Sequence, residues 1–289
     1  MICWMNGSYI EQAALKISPF DHGFLYGIGF FETFRTYDGQ VLFLNDHMQR
    51  LTQALKAFRI ELPYTQAEIK EVIQQLNTMN GGEDGYFRVN VSAGEHEIGL
   101  APTAYPNPNV IIFRKALPKD NPLATKTATI LQTLRNTSEV NGIRFKSHHY
   151  GNNVFARFEL PSLATEEGIF LTEAGYVAEG ITSNLFWVKN GKLYTPSIET
   201  NILAGITRKH VLQLAANLNI PIEQGLYEKE VLLRADEVFV TTSIQHIVPI
   251  TKIERATYKG LNGFVTQKLQ LAYEQMIEKE KVKEGDSDD

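Results

Sequence analysis

Residues 184–196, NLFWVKNGKLYTP, leave the chain little conformational choice. Two β-rich runs meet at Asn190-Gly191, a dipeptide that tolerates positive φ and so suits a two-residue hairpin turn. The same device recurs at Asp38-Gly39 inside FETFRTYDGQVLFL. Elsewhere the hydrophobic period changes. NDHMQRLTQALKAFRI carries Met48, Leu51, Leu55 and Phe58 in one helical stripe, with Asn45 as the expected N-cap. TQAEIKEVIQQLNTM reads as a second helix that stops at Asn80-Gly81-Gly82, and GYFRVNVSAG and NVIIFRKAL read as strands. The stretch 118–125, with two prolines and little apolar content, reads as a linker.

The remainder mixes the same two periods. TATILQT is an expected strand, a helix is expected near Asn152–Leu160, and EGIFLTEAGYVAEG alternates strand and turn. GITRKHVLQLAANLNI predicts a helix with Val211, Leu214, Ala215 and Leu218 on its buried face. ADEVFVTTS predicts a strand ending in hydroxyls, and a last helix is expected from about Leu261 to Glu278. Mixed elements in both halves predict an α/β (α+β mixed) protein of two domains, a smaller one at 1–117 and a larger one at 126–276. The charged end, 277–289, reads as a flexible tail.

Composition removes several classes of function. The net charge of -5 comes with no basic block, so a nucleic-acid surface is not expected, because neutralising phosphates takes clustered Lys and Arg. No apolar run is long enough to span a bilayer, and MICWMNGSYI lacks the basic and apolar regions of a signal peptide. A cytoplasmic protein without membrane partners is expected. The single cysteine, Cys3, excludes an internal disulfide.

RFKSHHYGNN, residues 144–153, holds the densest functional chemistry. Lys146 could be a nucleophile, His148 and His149 metal ligands, or the whole a polar loop before a helix. Adjacent histidines point apart in a strand and about 100° apart in a helix, and the other five are scattered without H-x-x-x-H spacing. No metal is therefore expected. Gly23, Gly27 and Gly29 fit neither dinucleotide-loop nor P-loop spacing, which leaves packing or turn roles, and no G-x-S-x-G elbow occurs. Three polar segments remain: AEGITSN, with Glu179, Thr182, Ser183 and Asn184; LAGITRKH, with Gly205, Ile206 and Thr207 opening a helix; and FVTTS, with Thr241, Thr242 and Ser243. Hydroxyls and unpaired amides at a helix N-terminus suit a phosphate, although each segment taken alone reads more readily as a cap or turn.

Taken in order, NDHMQRL, FKSHHYGNN, GYVAEGITSNLF, TPSIETNILAGITRKHV and ADEVFVTTS resemble the fold-type-IV pyridoxal-phosphate enzymes, the class-IV aminotransferase family. That family includes branched-chain aminotransferases, D-amino-acid aminotransferases and aminodeoxychorismate lyases, and it implies a two-domain fold of the D-amino-acid-aminotransferase type. The resemblance runs from Asn6-Gly7 to about Ile253. SPFDHGFLYGIGFFETFR, RFKSHHYGNN and AEGITSNLFW look most like the bacterial lyases.

The resemblance makes Lys146 the Schiff-base lysine for pyridoxal 5'-phosphate and Glu179 the carboxylate facing the pyridine nitrogen. It makes Arg50 a phosphate-binding arginine, joined by Ile206, Thr207, Thr242 and Ser243. Ser183, Asn184 and Tyr150 would line the cofactor. Arg88 takes the place of a substrate-carboxylate anchor, and Phe31 stands where D-amino-acid aminotransferases carry a tyrosine. Gly151 stands where branched-chain aminotransferases carry one, and their D-specific relatives' Arg-x-His trap has no clear copy here. These departures favour the lyase reaction, 4-amino-4-deoxychorismate to 4-aminobenzoate (a folate precursor) and pyruvate. An aminotransferase for branched-chain or D-amino acids is the alternative, and a non-enzymatic protein keeping the fold is a third reading. A carboxylate-bearing small-molecule substrate and a homodimer are the implied partners.

Overall fold

The structure, a computed structural model, describes residues 1–100, 103–117, 124–137 and 142–286. The chain forms two compact units, one of Met1–Asp120, Phe145–His149 and Glu278–Asp289, the other of Asn121–Arg144 and Tyr150–Ile277. Most of the expected linker, 118–123, lies outside the described residues.

The first unit contains strands β1 (Ile2–Met5), β2 (Ser8–Glu11), β3 (Gly29–Tyr37), β4 (Gln40–Val41), β5 (Gly85–Ser92) and β6 (Asn109–Ala116). Its helices are α1 (His22–Leu25), α2 (Leu44–Ala57) and α3 (Gln66–Met79). The sheet runs β2-β1-β6-β5-β3-β4 with every pairing antiparallel. Phe30, Phe34, Phe87, Val89 and Ile112 meet Leu51, Leu55, Ile69, Ile73 and Leu76 of the two long helices in one core. Alternation along β5 puts Phe87, Val89 and Val91 in that core and leaves Arg88 and Asn90 half-buried on the other face. Thr65 caps α3 through a reciprocal bond with Glu68. Asn45 does not cap α2, because the helix begins one residue earlier, behind Phe43 in the left-handed region at φ 58°.

The second unit contains β7 (Lys126–Ile130), β8 (Glu166–Leu171), β9 (Val177–Gly180), β10 (Asn184–Lys189), β11 (Lys192–Pro196), β12 (Ile222–Gly225), β13 (Glu237–Thr242), β14 (His246–Ile253) and β15 (Ala256–Thr257). Its helices are α4 (Gly151–Arg157), α5 (Ile206–Asn217), α6 (Lys229–Leu233) and α7 (Phe264–Asp286), whose last turns group with the first unit. The sheet order is β12-β11-β10-β13-β14-β7-β8-β9, with β15 on β14. The β10–β11 hairpin turns at Asn190-Gly191 with φ 50° and 75°, as the dipeptide requires. Two expectations are corrected. Leu218 is exposed and Leu214 half-buried, and α5 instead buries Ile206, Thr207, Arg208, His210, Val211 and Ala215, a face that is half polar. The last helix extends to Asp286, through most of the expected tail, with i,i+3 pairs Lys281–Glu278 and Lys283–Glu280 along it.

Both units mix helices and sheet, so the fold is mixed α/β. No helix among the described residues is long and apolar enough to cross a membrane. Among them, too, no group of three or more His, Cys, Asp or Glu side chains is placed to hold a metal ion.

Candidate active site

In the first unit, Phe145–His149 runs beside β3. Phe31 N–H donates to the Lys146 carbonyl at 2.9 Å, His148 N–H donates to the Gly29 carbonyl at 2.9 Å, and Phe30 bridges Ser147. This pairing aligns Lys146 with Phe31, which lies opposite Asn90 in β5. The Lys146 ammonium lies 4.8 Å from the Phe31 ring centre, and the Arg88 guanidinium 3.6 Å from it. Phe31 itself is 3% exposed, so it serves as a platform for two cations. Arg88 donates through Nε and Nη2 to Asn90 Oδ1 at 3.2 and 3.0 Å, and His148 Nε2 lies 2.9 Å from the same oxygen. Burial, and next the nearby Arg88 charge, pull the His148 pKa down to about 4, so its ring is neutral near pH 7.

The glycines flagged in the sequence answer to this packing. A Cβ at Gly29 would meet the His148 ring at 2.2 Å, and one at Gly27, where φ is +70°, would meet the His149 ring at 2.6 Å. Both histidine rings lie across glycine backbone.

Arg50 projects from α2 onto Glu32, donating through Nε to Oε1 at 2.7 Å and through Nη2 to Oε2 at 2.6 Å. His47 Nδ1 stands 2.7 Å from Glu32 Oε2. Burial alone would raise the Glu32 carboxyl, but Arg50 and His47 together bring it down to about 2. Glu32 lies between Phe30–Phe31 and Phe34 on a strand whose Phe30 and Phe34 enter the core, and no sequence motif signals its role.

In the second unit, Glu179 closes β9 and is 4% exposed. Its Oε1 pairs with Arg135 Nη2 at 2.9 Å, and its Oε2 accepts from Leu203 N–H at 2.9 Å and Asn184 Nδ2 at 3.4 Å. Arg135 is held in turn by Asn152 and Asn153 at 2.9 and 3.2 Å and lies over Phe170. Sequence reasoning missed Arg135: a buried carboxylate demands a cation, but nothing in QTLRNTS says which arginine answers.

Asn184 also donates to the Leu203 carbonyl at 2.8 Å, which ties Glu179 to the loop entering α5. There Gly205 is the N-cap without a side-chain cap, and a Cβ on it would meet Asn184 Oδ1 at 1.9 Å. The first-turn amides, including those of Ile206 and Thr207, have no intrahelical acceptor. The Thr207 hydroxyl is buried without a full hydrogen bond and lies against Tyr273, whose phenol burial pushes up to about 12.

Other expected site residues go elsewhere. Ser183 Oγ donates to the buried Glu167 at 3.0 Å rather than toward Glu179. Thr242 Oγ1 accepts from Ile244 and Gln245 amides, so it closes the β13–β14 turn, with the half-buried Ser243 inside that turn. Tyr150 is the N-cap residue of α4. Lys146, Phe31 and Arg88 thus form one group in the first unit, while Glu179, Asn184, Ile206 and Thr207 form another in the second.

The second group fits a phosphopyridine. A carboxylate has about four lone-pair sites and three donors occupy Glu179, which leaves one for a pyridinium N–H. An uncapped helix N-terminus with a buried hydroxyl suits a phosphate.

Relatives agree. The class IV amino-transferase family model matches residues 29–253. The chain is 44% identical to the aminodeoxychorismate lyase of Bacillus subtilis (strain 168), over 95% of this chain and 94% of that one. The branched-chain aminotransferase of Thermoproteus uzoniensis, solved with norvaline, superposes with a TM-score of 0.86 at 29% identity, covering 96% and 94% of the two chains. A second branched-chain amino acid aminotransferase, from T.th., was solved with pyridoxamine 5'-phosphate and has a TM-score of 0.83 at 27% identity, covering 94% and 92%. The chain belongs to the class IV amino-transferase family.

Proposed function

We propose that this chain is a pyridoxal-phosphate-dependent lyase that converts 4-amino-4-deoxychorismate to 4-aminobenzoate and pyruvate. The observation that carries the reading is the 44% identity to an aminodeoxychorismate lyase over 95% of the chain. The site supports it. Phe31 and Gly151 stand where aminotransferase relatives place tyrosines, and Arg88 and Lys146 both lie against the Phe31 ring.

When bound, pyridoxal phosphate supplies an electron sink for carbanion chemistry. Glu179 would hold the pyridine nitrogen protonated, and the α5 N-terminus with Thr207 would hold the phosphate. Lys146 Nζ would hold the cofactor, take the proton from the substrate carbon that bears nitrogen, and return it to the departing enolpyruvate. The ring-carbon–oxygen bond breaks, the ring becomes aromatic, and pyruvate leaves. Aromatisation drives the reaction, so the protein has mainly to orient the substrate and move one proton. The family resemblance supports a homodimer as the working assembly.

Purified protein incubated with 4-amino-4-deoxychorismate and no keto acid is expected to form 4-aminobenzoate, with K146A inactive. A protein with a borohydride-sensitive visible absorbance but no 4-aminobenzoate would refute the lyase reading. In that case the aminotransferase reading gains, because its family relatives include the Thermoproteus uzoniensis enzyme at 29% identity.

A further inference from the structure

Asn90 and His148 have no role in the reading so far, yet they share one atom. Asn90 Oδ1 receives Arg88 Nε and Nη2 at 3.2 and 3.0 Å, and His148 Nε2 lies 2.9 Å from it. Arginine only donates, so the Asn90 atom facing it must be the carbonyl oxygen. His148 Nε2 must then carry the proton and donate as well. One amide oxygen therefore takes three donors from two side chains, one on β5 and one on the segment beside β3.

The backbone is built for this contact. His148 reaches Asn90 by lying over Gly29, where any Cβ would meet its ring at 2.2 Å. Asn90 pairs across the ladder with Phe31, whose N–H is bonded to Lys146. Lys146, Phe31 and Asn90 are thus neighbours across the 145–149 segment, β3 and β5. Asn90 takes the Nε–Nη2 edge of Arg88, which turns the Nη1–Nη2 edge away from Asn90, and Phe31 fixes the guanidinium plane at 3.6 Å. A guanidinium so held has its position and its tilt set before any substrate arrives.

We propose that Asn90 and His148 are positioning residues that aim Arg88 at a carboxylate of the substrate beside Lys146. The proposal deepens the reading above and rests on it for the identity of that substrate. Neither residue touches the reacting atoms. Their contribution is substrate affinity rather than the chemical step.

The holoenzyme variants N90A, H148L, H148Q and G29A test this. Loss of a hydrogen bond to a charged group corresponds to about a tenfold change or more. N90A is therefore expected to raise KM for 4-amino-4-deoxychorismate about tenfold, with kcat within about threefold of wild type and cofactor absorbance retained. H148L and G29A, which remove or displace the ring, move KM the same way, whereas H148Q keeps an N–H donor and recovers most of the loss. A residue that only stabilised the fold would not give this KM-against-kcat split or this rescue. Calorimetric binding of 4-aminobenzoate to each holoenzyme reads the same anchor without turnover, and there R88A and N90A are expected to weaken binding about tenfold. Failure of wild type to turn over the substrate would count against the lyase reading alone, because carboxylate binding is still measured. The proposal is overturned by wild-type KM and 4-aminobenzoate affinity in N90A, by H148Q falling as far as H148L, or by absence of carboxylate binding in wild type.

Discussion

Two buried carboxylates, Glu32 in the first unit and Glu179 in the second, show how single residues organise the groups around them. Each has an arginine within 2.9 Å and further donors around it, and no motif in the sequence pairs either with its arginine. Removing one member of a buried ion pair leaves an uncompensated charge, at a cost of about 3–5 kcal/mol. R135M is expected to lose stability of that order in guanidinium titrations and to bind pyridoxal phosphate more weakly; a variant as stable as wild type would contradict the role given to Arg135. His148 makes a pH prediction. Its folded pKa, about 4, is depressed from the ordinary 6.5 by burial and Arg88, so between these values the unfolded chain takes up a proton that the folded one refuses. Stability should therefore fall as pH drops from about 6.5 to 4 and be level above. Unfolding at pH 7 and 4.5 should differ by about 2 kcal/mol from this group, a window above the range where Glu32 titrates, and H148Q should lose that difference. An undiminished slope in H148Q would refute the assignment.

Elements are more legible than sites. Periodicity finds α2 and α3 because an apolar stripe at 3.6 residues has one packing solution, and Asn190-Gly191 fixes its hairpin because few other residues accept those φ values. It fails on α5, where the buried face is half polar: Thr207, Arg208 and His210 are inside with Ile206, Val211 and Ala215, while Leu218 is outside. A hydrophobic count cannot see a helix whose inner face is partly polar. Asn45 reads as a cap from its type alone, whereas the left-handed Phe43 begins the helix earlier. At this scale, α5 makes the third prediction. T207V replaces the buried hydroxyl by a methyl of similar size and should weaken pyridoxal phosphate binding about tenfold, measured by absorbance titration of apoenzyme, with Tm little changed. Unaltered affinity would remove Thr207 from the phosphate site.

For the whole molecule, the order of motifs along the chain points to the family because five separated segments keep their sequence, and the family match over residues 29–253 bears that out. The division of the chain is less legible. A boundary drawn at 118–125 places Lys146 in the C-terminal part, whereas Phe145–His149 groups with the first unit. Backbone bonds between Phe31 and Lys146 and between Gly29 and His148 produce that grouping, and long-range pairing of this kind leaves no local trace in sequence. The fold also hides what separates a lyase from an aminotransferase, since both use the same lysine and carboxylate. Turnover number without an amino acceptor separates them. Enzyme given excess 4-amino-4-deoxychorismate and no keto acid should release 4-aminobenzoate and pyruvate in equal amounts, many molecules per chain, with the cofactor unchanged at the end. Release that stops at or below one molecule per chain, with pyridoxamine 5'-phosphate accumulating, would contradict the account.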